Sequence, residues 1–287
     1  MFSKESSKRF HKTFRQLFVH NVHLNGLKSA LYCFGLSASR YIEYASALTF
    51  LSSELKARNI ILEIGCGHSI LPTLWAKSGL QVVTVDISRD ALKWQINKNK
   101  EILNKSLHAV LVDGKNLPFK DGSCSVISCI SAIEHVPGNG DIQVAYEIGR
   151  VLKPNGLCII SFSLSRYSNS YSKRDWGAEI PPLIKRVFKS FLPIMFDKFK
   201  VDRTLSYFER FYSLEDMHNR IIFPSRCIKE DHLTLRSGWI IKFIYERIIP
   251  TGVLTPLEFL MARLLTVSKC AKNMDAIILK IRKPSHT

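Results

Sequence analysis

The chain has 287 residues, 46% hydrophobic and 23% charged, with a formal net charge of +17, and that much apolar surface offsets the ordering entropy that keeps polar chains disordered. No apolar run approaches the roughly 20 residues needed to cross a bilayer, and no continuous apolar stretch follows the basic N-terminus, so neither a membrane-spanning protein nor a secretory signal is expected. Residues 1–60 carry 9 Lys and Arg against 3 Asp and Glu, residues 61–163 carry 10 against 9, and residues 164–287 carry 22 against 12, so the basicity flanks a nearly neutral middle, where it can attract nucleic acid, anionic lipid or an acidic small molecule.

Residues 1–58 read as an N-terminal helical extension. Between Lys8 and Phe18, helical spacing gathers Phe10, Phe14, Leu17 and Phe18 on one face and Lys8, Arg9, Lys12 and Arg15 on the other. Such a stripe suits packing on the chain's own domain, and it also suits an anionic membrane surface. A basic, acid-poor start of this kind is shared by mitochondrial presequences as well.

From 59 to 163, short apolar runs alternate with helix-compatible stretches. The runs are 59–64, 81–86, 108–112, 124–130 and 156–162, and the stretches between them are 71–78, 88–104 and 141–152. Near-continuous apolar strands separated by helices imply a parallel sheet covered on both faces, a doubly wound α/β domain. Residues 164–212 break the alternation and read as an insertion or lid over the strand ends. Arg166, Tyr167, Tyr171, Lys173, Arg174 and Trp176 mix cations and aromatics there, and Pro181 and Pro182 start a second basic amphipathic segment that runs toward Phe199. Residues 213–287 read as the completion of the sheet, with a helix over 213–222 capped by Ser213 with Asp216, and strands over 239–245 and 275–281. The seven cysteines form no C-x-x-C pair, which suits free thiols in a reducing compartment, with no zinc site and no disulfide framework.

The segment Glu63-Ile64-Gly65-Cys66-Gly67-His68-Ser69 joins the first strand of the alternating region to its first helix. A glycine-rich turn there lets backbone approach a ligand closely, and the helix start offers free N–H groups. Gly65 and Gly67 are followed by Ile70 where a dinucleotide fingerprint needs a third small residue. Asp86 ends the second strand, where a carboxylate can accept both ribose hydroxyls. Asp113 and Gly114 follow the third, where a carboxylate can accept an adenine amino proton beside a residue that leaves room for the ring. A single nucleoside fits this set better than a dinucleotide.

ILEIGCGHS at 61–69, VTVDIS at 83–88, VDGKNLPFKDGSCSVI at 112–127, SAIEHV at 131–136 and EIGRVLKPNGLCII at 147–160 resemble the successive motifs of class I S-adenosylmethionine-dependent methyltransferases, in the branch that acts on quinones and other small molecules. The resemblance covers about 105 residues. It implies a Rossmann-like seven-stranded sheet with a final antiparallel strand, and S-adenosylmethionine as cofactor. It further implies that Glu63, Gly65, Cys66 and Gly67 hold the methionine end, that Asp86 and Ile87 hold the ribose and adenine face, that Asp113 and Gly114 hold the adenine edge, and that Ser131 borders the sulfonium. Ser69 stands where the family usually has a third glycine.

The implied chemistry is in-line displacement, for which the protein mainly aligns an acceptor. His135, with Glu134 beside it, lies after the fourth strand, where a base would serve, and this favours oxygen as the methylated atom. Ser131 replaces the first Glu of the E-x-x-E-H set that holds a metal in some methyltransferases, so no metal is expected. The expected partner is a small-molecule or lipid-like acceptor, with an anionic membrane surface second and nucleic acid weaker. An RNA methyltransferase is the alternative within enzymes, and a noncatalytic S-adenosylmethionine-binding protein is the alternative outside them. The default location is cytoplasmic, peripheral at a membrane if the amphipathic segments bind lipid, with mitochondria a minor alternative.

Overall fold

The computed structural model describes residues 19–20, 38–51, 60–101, 106–165, 169–171, 209–236, 266–268 and 276–285. The amphipathic segments at 8–18 and 181–199, the strand expected over 239–245, and Arg166, Tyr167, Lys173, Arg174 and Trp176 lie outside them. No helix among the described residues is long and apolar enough to cross a membrane.

Helix α1 spans Ala38–Leu51. The alternation that follows comprises β1 Ile60–Ile64, α2 Leu71–Lys77, β2 Gln81–Asp86, α3 Arg89–Glu101, β3 Leu107–Leu111, β4 Cys124–Ile130, a 3-10 turn at Ile133–His135, α4 Gly140–Val151 and β5 Leu152–Ser163. These five strands run parallel in the order β3-β2-β1-β4-β5. Two short strands, β6 Asn169–Tyr171 and β7 Glu209–Phe211, pair antiparallel in a small second sheet. Ser165 donates to Tyr212 O at 2.9 Å and Tyr212 donates to Ser163 O at 3.0 Å, so the chain leaves the fifth strand and returns to it at one place. Tyr171 is in β6.

Residues 214–225 are helical, with the Ser213 hydroxyl accepting from the Asp216 amide at 3.0 Å. Three strands complete the large sheet: β8 Ile228–Arg236, β9 Thr266–Ser268 and β10 Ala276–Arg282. The last, β10, lies between β5 and β8 and is antiparallel to both. The doubly wound sheet and its antiparallel final strand match the expected fold, and β9 adds an eighth strand at the edge.

The strand next to β10 was not legible in the sequence. Residues 228–231 begin it with Ile-Lys-Glu-Asp, exposed or half-buried, because β9 pairs only with 234–236. Among the described residues the first half of β8 thus has no strand on one side, and such an edge has no need of the continuous apolar run that marks a central strand.

The period of two along each strand divides the core into two layers. Leu62, Ile127, Cys158 and Ile160 face α4 and the 214–225 helix through Val144, Ile148, Met217 and Ile221. Ile61, Val126 and Ile159 face α1 and α2 through Tyr44, Ala47, Leu71 and Trp75. A Cβ on Gly149 of α4 would fall 2.0 Å from Ser225 O, so only glycine lets the 214–225 helix approach this closely.

Candidate functional site

Strand order reverses between β1 and β4, and the carboxyl ends of those strands open the crevice where doubly wound sheets hold ligands. Beyond Glu63 and Ile64 the chain turns through Gly65 at φ 68° and Gly67 at φ 46°, left-handed values that glycine adopts without steric conflict. A Cβ on Gly65 would lie 2.4 Å from that of Ala132, whereas one on Gly67 would meet no atom of the described residues within 4 Å. The first glycine is therefore required by the turn after β4. The second faces open space among the described residues.

The Asp86 carboxylate fastens this turn to the end of β2. Gly67 N donates to Oδ2 at 2.8 Å and Ser88 N donates to Oδ1 at 2.8 Å. The Cys66 thiol also donates to Oδ2, at 3.9 Å; a carboxylate offers about four acceptor sites, so Oδ1 retains capacity for a further donor. The side chain of Ile87, next in sequence, is 73% exposed and presents apolar surface at the same strand end. Asp113 is exposed, with Oδ1 accepting from Lys115 N at 3.0 Å and Oδ2 standing 3.3 Å from Lys115 Nζ. A Cβ on Gly114 would stand 3.3 Å from Ile64 Cγ2, so the loop after β3 passes directly over the end of β1.

Glu63 is buried on β1 opposite Ser128 of β4. Burial pushes its carboxyl up to about 8, with the Ser128 hydroxyl opposing the shift. Its Oε2 completes no hydrogen bond among the described residues. The Cys66 thiol is buried and is pushed up by that burial, then by the Asp86 and Glu63 carboxylates; it is a neutral packing group.

At the end of β4, Ser131 has φ 44°, which costs a non-glycine residue about 1 kcal/mol. Its amide donates to Ser161 O at 3.1 Å and Ser161 Oγ at 3.0 Å, and its hydroxyl donates to Glu43 Oε1 at 2.8 Å. The 3-10 turn that follows separates the two residues expected to act together: Glu134 is buried beneath it and His135 is exposed. Strand β7 packs against this turn, which brings the far end of the insertion beside His135. Among the described residues no three His, Cys, Asp or Glu side chains come together as a group able to hold a metal. His68 is exposed, its ring 5.4 Å from that of Trp94.

Three further contacts shape the site. Gln95, buried on α3, donates from Nε2 to Gly67 O at 3.1 Å and to Ser69 O at 2.9 Å, so a side chain from the next helix clamps the glycine turn. Its signal in the sequence is slight: a glutamine sharing the buried face of α3 with Ala91 and Leu92. Glu43 of α1 has no local signal. The loop after β3 is tied to α4, since Leu117 N donates to Glu147 Oε2 at 2.7 Å and Arg150 donates to Leu117 O at 2.9 Å and Phe119 O at 2.8 Å. The hydrogen bond from Arg150 holds the Glu147 carboxyl below the usual range.

Residues 62–160 match a family model described as a methyltransferase domain. Ubiquinone biosynthesis O-methyltransferase from Burkholderia orbicola (strain MC0-3) is 31% identical over 122 residues, which are 41% of this chain and 50% of that protein; the chain thus spans about half the length of this relative. A SAM-dependent methyltransferase from Methanosarcina mazei superposes with a TM-score of 0.52 at 14% identity, covering 82% of this chain and 97% of the other. Geranyl diphosphate C-methyltransferase from Streptomyces coelicolor A3(2), solved with Mg2+, geranyl diphosphate and S-adenosyl-L-homocysteine, gives a TM-score of 0.52 at 11% identity, covering 83% and 77%. At such identities the two structures share the fold.

Proposed function

We propose that the chain is a class I S-adenosylmethionine-dependent methyltransferase that methylates an oxygen of a small-molecule or lipid-like acceptor, a reading supported by the match of residues 62–160 to a methyltransferase-domain model. The observation that carries this reading is the cradle at the first turn. Gly67 has open space before it among the described residues, and Asp86 is fixed against its amide with acceptor capacity left on Oδ1. The unsatisfied Glu63 Oε2 beneath the turn also suits a cofactor that carries hydrogen-bond donors.

When bound, S-adenosylmethionine supplies a methyl group already activated on a sulfonium. The chain's own residues then have three tasks. Asp86 accepts the ribose hydroxyls, Asp113 accepts from the adenine amino group, and Gly65 and Gly67 let the backbone approach the methionine end. Holding an acceptor oxygen in line can supply on the order of 7–11 kcal/mol of barrier lowering. His135 is the exposed imidazole at the end of β4 and takes the acceptor's O–H proton as the new C–O bond forms. Glu134 is buried under the same 3-10 turn. The relative named for O-methylation in ubiquinone biosynthesis supports oxygen and an apolar acceptor.

The test uses S-adenosylmethionine labelled in its methyl group, mixed with the full chain and a fractionated cell extract. Label should enter a small molecule extractable into organic solvent. His135→Gln should lower that transfer by about a hundredfold while leaving cofactor affinity in place. Label in RNA would replace this reading with an RNA methyltransferase. Tight cofactor binding with no label transferred would replace it with a noncatalytic binder.

A further inference from the structure

Asp141 lies in the first turn of α4 and is completely buried, yet the chain fills the roughly four acceptor positions of its carboxylate. Oδ1 accepts from Arg220 Nη2 at 2.7 Å and from Ile142 N at 2.9 Å. Oδ2 accepts from Arg220 Nε at 2.8 Å and from the Tyr212 hydroxyl at 3.0 Å. The Arg210 guanidinium stands beside them, its Nε 3.5 Å from Oδ2. Both arginines then reach past the carboxylate. Arg210 Nη2 and Arg220 Nη2 each donate to Gly138 O at 2.9 Å, and Arg220 Nη2 also reaches Asn139 Oδ1 at 3.1 Å. Arg210 lies in β7 and Tyr212 just beyond it, where the chain returns to the fifth strand, and the Tyr212 ring packs on that of Phe162 in β5 with centroids 4.8 Å apart. Arg220 lies in Met217–Ile222, wound as a π-helix, a form that recurs at functional sites.

These bonds converge on residues 136–139, which link the 3-10 turn carrying His135 to α4, and β7 packs against that same turn. Charges buried in this way add little net stability, because desolvation offsets their attraction. A fully satisfied buried network does fix one arrangement. We propose that Asp141 is a positioning residue for methyl transfer: through Arg210, Arg220 and Tyr212 it locks the return of the 164–212 segment to the turn that carries His135, and so sets where the imidazole stands at the end of β4. The inference rests on the reading that His135 takes the acceptor's proton. It also links that segment to the reacting atoms, since Arg210 of β7 holds Gly138, three positions from the base.

A double-mutant cycle separates positioning of the base from support of the fold. It reads the rate of methyl transfer from S-adenosylmethionine to a saturating amount of the solvent-extractable acceptor fraction, alongside affinity for S-adenosylhomocysteine. Asp141→Asn removes the charge but keeps the shape, and should lower the rate about tenfold with that affinity unchanged. In a His135→Gln background the same substitution should lower it less than about twofold, because a base that is absent cannot be misplaced. In the ligand-free chain, the imidazole NMR resonance of His135, assigned by its absence from His135→Gln, should move or broaden in Asp141→Asn. An equal loss in both backgrounds, a loss shared by S-adenosylhomocysteine affinity, or an unmoved resonance makes Asp141 a support of the fold and overturns the inference. Tyr212→Phe deletes only the hydroxyl bond to Oδ2 and carries the same cycle if Asp141→Asn fails to fold: a loss confined to the chain with His135 supports the assignment, and no loss or a loss in both backgrounds overturns it. If His135→Gln leaves the rate unchanged, the base itself is refuted and the role of Asp141 falls with it. A chain that transfers no label to any fraction refutes the methyltransferase reading and the inference together.

Discussion

The amide of Gly67 donates to Oδ2 of Asp86 at 2.8 Å, and this contact couples the shape of the glycine turn to the position of the carboxylate. The two parts of the cradle are therefore set together, before a ligand enters. Removing the carboxylate in Asp86→Ala should lower affinity for S-adenosylhomocysteine at least about thirtyfold, from roughly 2 kcal/mol of lost charge-assisted hydrogen bonding. Calorimetry checks this, and an unchanged dissociation constant would take the ribose away from Asp86.

The two glycines of the turn should respond differently to alanine. Gly65→Ala forces a methyl to 2.4 Å from Ala132 Cβ at a left-handed φ, and should destabilise the chain by about 2–4 kcal/mol through overpacking and backbone conflict. Gly67→Ala carries only the backbone term, about 1 kcal/mol, because its methyl has no neighbour among the described residues. It should nevertheless weaken cofactor binding more than about tenfold, since that methyl projects into the space assigned to the ligand. Urea unfolding and calorimetry on both variants give the comparison. Wild-type affinity in Gly67→Ala would show that the ligand lies elsewhere.

Gln95 supports the turn from α3. Gln95→Leu keeps the side chain's approximate volume but leaves Gly67 O and Ser69 O without their shared donor, and an unsatisfied buried group costs about 1–3 kcal/mol. The variant should lose about 2–4 kcal/mol in chemical denaturation, and cofactor affinity should fall with it. A loss under about 0.5 kcal/mol would mean that water replaces the clamp without penalty.

Glu63 makes stability depend on pH in a direction opposite to that of a salt-bridged carboxylate. Its folded value lies near 8, against 4.5 for the free side chain, so between those values the folded chain holds a proton that the unfolded chain has released. The stabilising contribution is whole below about 4.5, declines as pH rises and is gone above about 8. The slope reaches at most about 1.4 kcal/mol per pH unit. Glu63→Gln should flatten it. Denaturation midpoints across the window decide the point: equal slopes in wild type and variant would place the proton elsewhere.

Much of the site follows from neighbours in the chain. Gly65 and Gly67 at a strand end, Asp86 at the next and Asp113 at the third are signalled by alternating apolar runs and turn residues, because period and spacing determine which end of a parallel strand each residue occupies. The four residues that open β8 gave no such signal, being polar apart from Ile228, which is exposed, so the strand beside β10 emerged only from pairing.

The turn at Glu63 to Ser69, and with it the class of cofactor, was determined by sequence alone, because a strand, a glycine pair and a helix start are consecutive in the chain. Tertiary structure decided what holds that turn and what faces it. Gln95 meets Gly67 across 28 residues and Glu43 meets Ser131 across 88, while one 3-10 turn buries Glu134 and exposes His135. Contacts at such separations depend on how helices settle on the sheet, and local periodicity carries no record of that packing.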